Sequence, residues 1–129
     1  MTVSIRDESF SGKVLHQIDI EFEKEVLSVK EIITAKVYNE VNSYNQNQTE
    51  RFRGLVEPTD AEKILNGYKI AGSKLIDAEK QAYVALSAFQ QNAYFVLIDN
   101  IQCESLDQVI PLTEGTTISF IKLTPLVGG

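Results

Sequence analysis

Residues 94–98 read Tyr-Phe-Val-Leu-Ile, and residues 117–123 read Thr-Ile-Ser-Phe-Ile-Lys-Leu. The first is a dense apolar run bounded by Asp99-Asn100, which predicts a fully buried strand followed by a tight turn. The second predicts the last strand, with Ile118 and Phe120 on one face. Between them, Ile101-Gln102-Cys103 reads as a short strand. Leu106, Val109, Ile110 and Leu112 form a linking stretch, and Thr113-Glu114-Gly115-Thr116 a turn. The last third of the chain is therefore β.

Working back to the N-terminus, residues 2–8 alternate, with Val3 and Ile5 apolar beside Ser4 and Arg6. Gly12 marks a turn. Val14, Ile18, Ile20 and Phe22 then fall on one face of a second strand, opposite Gln17, Asp19, Glu21 and Glu23. The two runs are close enough to pair as a hairpin. Ser28-Val29-Lys30-Glu31 is a capping-box pattern. After it, Val29, Ile32, Ile33, Lys36, Val37, Glu40 and Val41 follow helical spacing, which predicts a helix over 28–43 with its apolar stripe on the hairpin. Its β-branched residues are poor helix formers, so packing must hold it.

The polar stretch Asn42–Glu50 predicts a loop. Thr59-Asp60-Ala61-Glu62 offers a helix start, closed by Asn66-Gly67, and Gly72 a turn. Asp77 can cap a further helix with Ala78, Tyr83, Ala85, Leu86 and Phe89 as candidate buried positions and Asn92 as its stop. The order is β-β-α, a helical middle, then β-β-β, the parts of an α+β domain. A length of 129 residues suits one domain over 1–129.

The net charge of −6 argues against nucleic acid, whose phosphates need clustered Lys and Arg, and against a polybasic membrane contact. Arg51 and Arg53 around Phe52 are too few to reverse that. No stretch approaches the ~20 apolar residues of a membrane span, and the N-terminus lacks the pattern of a secretion signal. The single cysteine, Cys103, has no internal disulfide partner. A cytoplasmic setting is expected.

The chain closes on Leu123-Thr124-Pro125-Leu126-Val127-Gly128-Gly129. Pro125 withholds a ladder donor and ends regular pairing. Gly128 and Gly129 carry no side chains, so this tail, residues 124–129, can enter a narrow channel and present its carboxylate. Residues 94–129 resemble the C-terminal part of the ubiquitin-like β-grasp sulfur carriers, the small subunit of molybdopterin synthase and the thiamine-pathway sulfur carrier. The resemblance rests on the strand at 95–98, the Asp99-Asn100 turn, the Leu112-Thr113-Glu114-Gly115 turn, the strand at 117–123 and the end Pro125-Leu126-Val127-Gly128-Gly129. It implies a β-grasp: a mixed sheet crossed by a helix, with the last strand beside the first and parallel to it. Residues 44–91 exceed the connection usual in that family and read as a helical insertion.

The resemblance also implies a mechanism. A ubiquitin-activating-type enzyme would adenylate the Gly129 carboxylate with ATP, and a persulfide or thiol would take the acyl group. The product serves sulfur transfer as a thiocarboxylate, or conjugation to a protein amine. Gly128 and Gly129 would be the attachment residues, and Pro125, Leu126 and Val127 the partner contacts. The chain would bind no cofactor and be no enzyme itself. A larger synthase subunit or protein targets are the further partners implied. A non-activated interaction module, binding its partner through the helical insertion, is the alternative.

The remaining chemistry-bearing residues read as structural. His16 stands without the further ligands that a metal requires. Cys103 has no activating neighbours in sequence. Asp7, Glu8, Glu21, Glu23, Glu25 and Asp99 read as solvated strand and turn carboxylates. Gly67 and Gly72 are too isolated for a phosphate loop. Tyr94, Phe95, Ile118, Phe120 and Leu126 are candidates for an apolar partner patch, and most of them read as core.

Overall fold

The structure, a computed structural model, describes residues 1–47 and 75–123. The expected helix start at Thr59, Gly67, Gly72, the Arg51-Phe52-Arg53 spot and the tail lie outside the described residues. Among the described residues the elements run β1 (Thr2–Glu8), β2 (Val14–Glu21), β3 (Val26–Ser28), α1 (Val29–Asn47), α2 (Ala78–Gln90), β4 (Tyr94–Ile98), β5 (Ile101–Gln102), β6 (Val109–Pro111) and β7 (Thr117–Lys122). The fold is mixed α+β. Five strands form one mixed sheet in the order β2-β1-β7-β4-β5, and β3 and β6 form a separate two-stranded sheet.

The N-terminal hairpin pairs Val3 with Ile20 and Ile5 with Ile18. The register slips between Asp7 and Glu8, so that Val14 faces Glu8 and His16 faces Asp7. This bulge takes Val14 off the expected apolar face, and it stands 44% exposed. β7 runs parallel to β1, with Ile5 beside Ile118 and Asp7 beside Phe120, and antiparallel to β4, with Val96 opposite Phe120. A parallel neighbour cannot be reached by a tight turn. The whole stretch between the hairpin and β7 supplies the crossover, and α1 packs on the sheet within it.

The start of α1 follows from the capping box. The Glu31 amide donates to Ser28 Oγ at 3.1 Å, and Glu31 Oε1 accepts from the Ser28 amide at 3.1 Å. Val29, Ile32, Ile33, Val37 and Val41 are buried, as the spacing predicts. The helix does not stop at 43. It continues through Asn47, and residues 42–47 of the expected loop are helical. Tyr44 extends the stripe of Val37 and Val41 and is buried, and this packing overrides the weak helix propensity of the asparagines.

α2 is capped by Asp77, whose Oδ1 accepts from the amides of Glu79 and Lys80 at 3.0 and 3.3 Å. It ends at Gln90, and Asn92 just beyond it adopts φ 60°. There the Ala93 amide reaches back to the Ala88 carbonyl and the Asn92 amide to that of Phe89, both at 3.0 Å. Ala85 and Phe89 are buried and Ala78 and Leu86 partly so, but Tyr83, expected inside, is 76% exposed. The buried side of α2 runs instead through Gln81, Ala82, Ala85 and Phe89.

β4 is buried on alternate residues rather than throughout. Tyr94 and Val96 are fully buried, whereas Phe95 and Leu97 are half-buried. The Asp99-Asn100 turn has both residues at positive φ, 48° and 69°, which suits a two-residue hairpin. The linking stretch 106–112 contains β6, which pairs with β3 and places Leu27 opposite Ile110, both buried. Three residues are too few for alternation to announce a strand.

Candidate functional site

The resemblance implies chemistry at the C-terminal end, so the relevant geometry is the root of that segment. β7 lies in the middle of the sheet and delivers the chain from there. Its last paired residues are Ile121, beside Glu8 and opposite Phe95, and Lys122, opposite Tyr94. Leu123 follows, 36% exposed. Pro125, Leu126, Val127, Gly128 and Gly129, the expected contact and attachment residues, lie outside the described residues.

The two faces of the sheet differ at this root. On the side of α1, Tyr94, Val96, Ile118 and Phe120 are fully buried, so three of the five candidates for an exposed patch (Tyr94, Ile118 and Phe120) belong to the core, and Leu126 lies outside the described residues. On the other face, strand alternation sets Phe95, Leu97 and Ile121 together, each half-buried. Ser119 shares that face, is buried, and donates its hydroxyl to Glu8 Oε2.

A charged cluster sits under the root on the helix side. Lys36, from the apolar stripe of α1, is 1% exposed. Its Nζ lies 3.0 Å from Asp7 Oδ1, 2.5 Å from Glu40 Oε2 and 5.1 Å from the centre of the Phe120 ring. Asp7 and Glu8 are therefore not solvated strand carboxylates, because each binds a partner inside or across the sheet. The signal in the sequence was Lys36 and Glu40, an i, i+4 pair of opposite charge on the buried stripe. Asp7 could be added only once the packing of α1 on β1 was known, and Phe120 once the β1–β7 pairing was. Tyr94 lies in the same region. Its hydroxyl donates to the Ala85 carbonyl at 2.6 Å, and burial first, then the Glu40 charge, hold its phenol well above the ordinary range.

The other candidates are placed as follows. Cys103 is 3% exposed, its amide donates to the Val96 carbonyl at 2.8 Å, and burial pushes its thiol up, which disfavours the nucleophilic thiolate. His16 is exposed beside the bulge of β2. Asp99 holds the start of β7, accepting from the Thr117 amide at 2.9 Å. Glu21 accepts from the N-terminal amine at 2.7 Å and from the Thr2 hydroxyl. Among the described residues, no group of three His, Cys, Asp or Glu is placed to hold a metal ion, and no helix is long and apolar enough to cross a membrane.

Comparison of the chain with known protein families, with characterised proteins and with solved structures finds no match.

Proposed function

We propose that this chain is a ubiquitin-like β-grasp carrier activated at its Gly129 carboxylate by a separate adenylating enzyme. The observation that carries the reading is the sheet order β2-β1-β7-β4-β5 with β7 parallel to β1. A β-grasp requires this placement of the last strand beside the first, with a helix packed on one face. The terminal sequence supplies the rest. Extended, residues 123–129 span at most about 25 Å from the sheet, enough to enter a pocket of another protein.

The chemistry belongs to the carboxylate and its partner. A Gly129 carboxylate oxygen attacks the α-phosphorus of ATP, the bond to pyrophosphate breaks, and an acyl-adenylate forms. A sulfur nucleophile of the partner then attacks the acyl carbon and AMP leaves. From a cysteine thiol the product is a thioester, which a protein amine converts to an amide with release of the thiol. From a persulfide it is an acyl disulfide, which a second thiol cleaves to a thiocarboxylate and a disulfide. The lack of side chains at Gly128 and Gly129 clears the approach to the carbonyl, while Leu126 and Val127 give the partner apolar groups to bind. Use of ATP fits the cytoplasmic setting expected from the single cysteine.

The test is ATP–pyrophosphate exchange with a ubiquitin-activating-type enzyme from the same cells. Exchange that requires the full chain and disappears for a chain ending at Val127, with unchanged circular dichroism, supports the reading. Exchange that survives the truncation overturns it. A truncated chain that keeps its cellular partner, with no exchange in either form, favours an interaction module instead, and loss of that partner on substitution within residues 44–91 would identify its contact.

A further inference from the structure

Among the described residues, Lys36 is the only charged side chain in the buried core. A buried ammonium needs compensation, and here it has three attachments from three elements. Asp7 comes from β1, Glu40 from the next turn of α1 and the Phe120 ring from β7. The Asp7 and Glu40 side chains are themselves only 23% and 15% exposed. A well-packed apolar side chain in place of a buried ion pair is often neutral or stabilising, so stability alone gives no reason for a lysine. What a cation adds is direction, because it holds particular atoms at particular places.

Those places are the ends of two strands. Asp7 and Phe120 are register neighbours, β1 ends at Glu8 and β7 at Lys122. Beyond Phe120 the sheet holds only Ile121 and Lys122 before the chain leaves it. We propose that Lys36 is a positioning residue for the C-terminal segment: its ammonium ties the ends of β1 and β7 to α1 and fixes the point at which the chain departs. Without that tie, Ile121 and Lys122 fray. The segment then gains length and freedom that a partner must remove on binding. The use of the segment rests on the carrier reading, whereas the tie is a property of the strand end and is tested there.

The experiment is amide hydrogen exchange by NMR on the full chain, comparing the native protein with Lys36→Met. Val41→Ala serves as a core deletion on the same helix that leaves Lys36, Asp7, Glu40 and Phe120 unchanged. The expected result is exchange at Phe120–Lys122 accelerated about tenfold or more beyond any change at Val3–Ile5 in Lys36→Met, with both groups moving together in Val41→Ala. Equal acceleration of both groups in Lys36→Met, or none at Phe120–Lys122, overturns the proposal. Should Lys36→Met fail to fold, Asp7→Asn removes only the charge on β1. The same local pattern, in weaker form, is expected there, and its absence counts equally against the tie. None of these readings requires that Gly129 be activated.

Discussion

Asn45 and Ile76 exchange two hydrogen bonds. The carboxamide Nδ2 donates to the Ile76 carbonyl at 3.0 Å, and its Oδ1 accepts from the Ile76 amide at 3.0 Å. The side chain thus imitates a strand neighbour and fastens the approach to α2 onto α1, across the residues that separate them. Asn45→Ala leaves both backbone groups of Ile76 without these partners in a part-buried setting, with an expected loss of about 2–3 kcal/mol. Urea denaturation checks it, and a loss below about 0.5 kcal/mol would show that water replaces the carboxamide.

Tyr94 makes the corresponding link between sheet and helix. Its hydroxyl meets the Ala85 carbonyl at 2.6 Å, and both residues are fully buried. Tyr94→Phe keeps the ring contacts with Phe89 and Phe120 but removes the donor. The expected cost is about 1–2 kcal/mol with native chemical shifts retained in β1 and β2.

The helix start and the N-terminus give the protein an acid-sensitive side. Glu31 is held below the usual carboxylate range first by the Ser28 amide and then by Lys24, and Glu21 first by the N-terminal amine and then by Thr2. A lowered carboxylate contributes stability that is fully present above its unfolded value and is lost as pH falls through the folded one. Stability is therefore expected to be insensitive to these groups at neutral pH and to decline below about pH 4.5. Glu31→Gln should reduce the steepness of that decline, and an unchanged slope would remove Glu31 from the account. Ser28→Ala should cost about 1 kcal/mol at neutral pH through loss of the cap.

Cys103 is expected to behave as a core residue. Its thiol should react with an alkylating reagent about a thousandfold more slowly in the native protein than in denaturant, because reaction must await opening. A native rate within about tenfold of the denatured one would place the thiol at an accessible site instead.

Much of this architecture was legible because local rules and burial agree. The alternation of Val3 and Ile5, the Ser28–Glu31 box, the Asp77 cap, the Asn92 stop and the Asp99-Asn100 turn each name an element boundary, and each sits where expected. The misreadings arose where tertiary contact decides. Residues 42–47 look like a loop until Tyr44 finds the core and Asn45 finds Ile76. β3 and β6 are too short to show a period, and their pairing depends on residues far apart in sequence. The reading of the tail rests on the sequence alone, on Pro125 and the two glycines. The Lys36 cluster was not legible, because Asp7 reaches Lys36 only through the packing of α1 on β1, and Phe120 joins through a parallel pairing that no local pattern encodes.

The central claim is that the Gly129 carboxylate is the reactive group, and the mass of the C-terminal peptide from protein isolated out of its native cells tests it most directly. The account predicts either a gain of about 16 Da, oxygen replaced by sulfur, or a branched peptide in which Gly129 is joined to a lysine amine. A C-terminal peptide that stays an unmodified carboxylate, even after incubation with ATP and the activating enzyme, would contradict it.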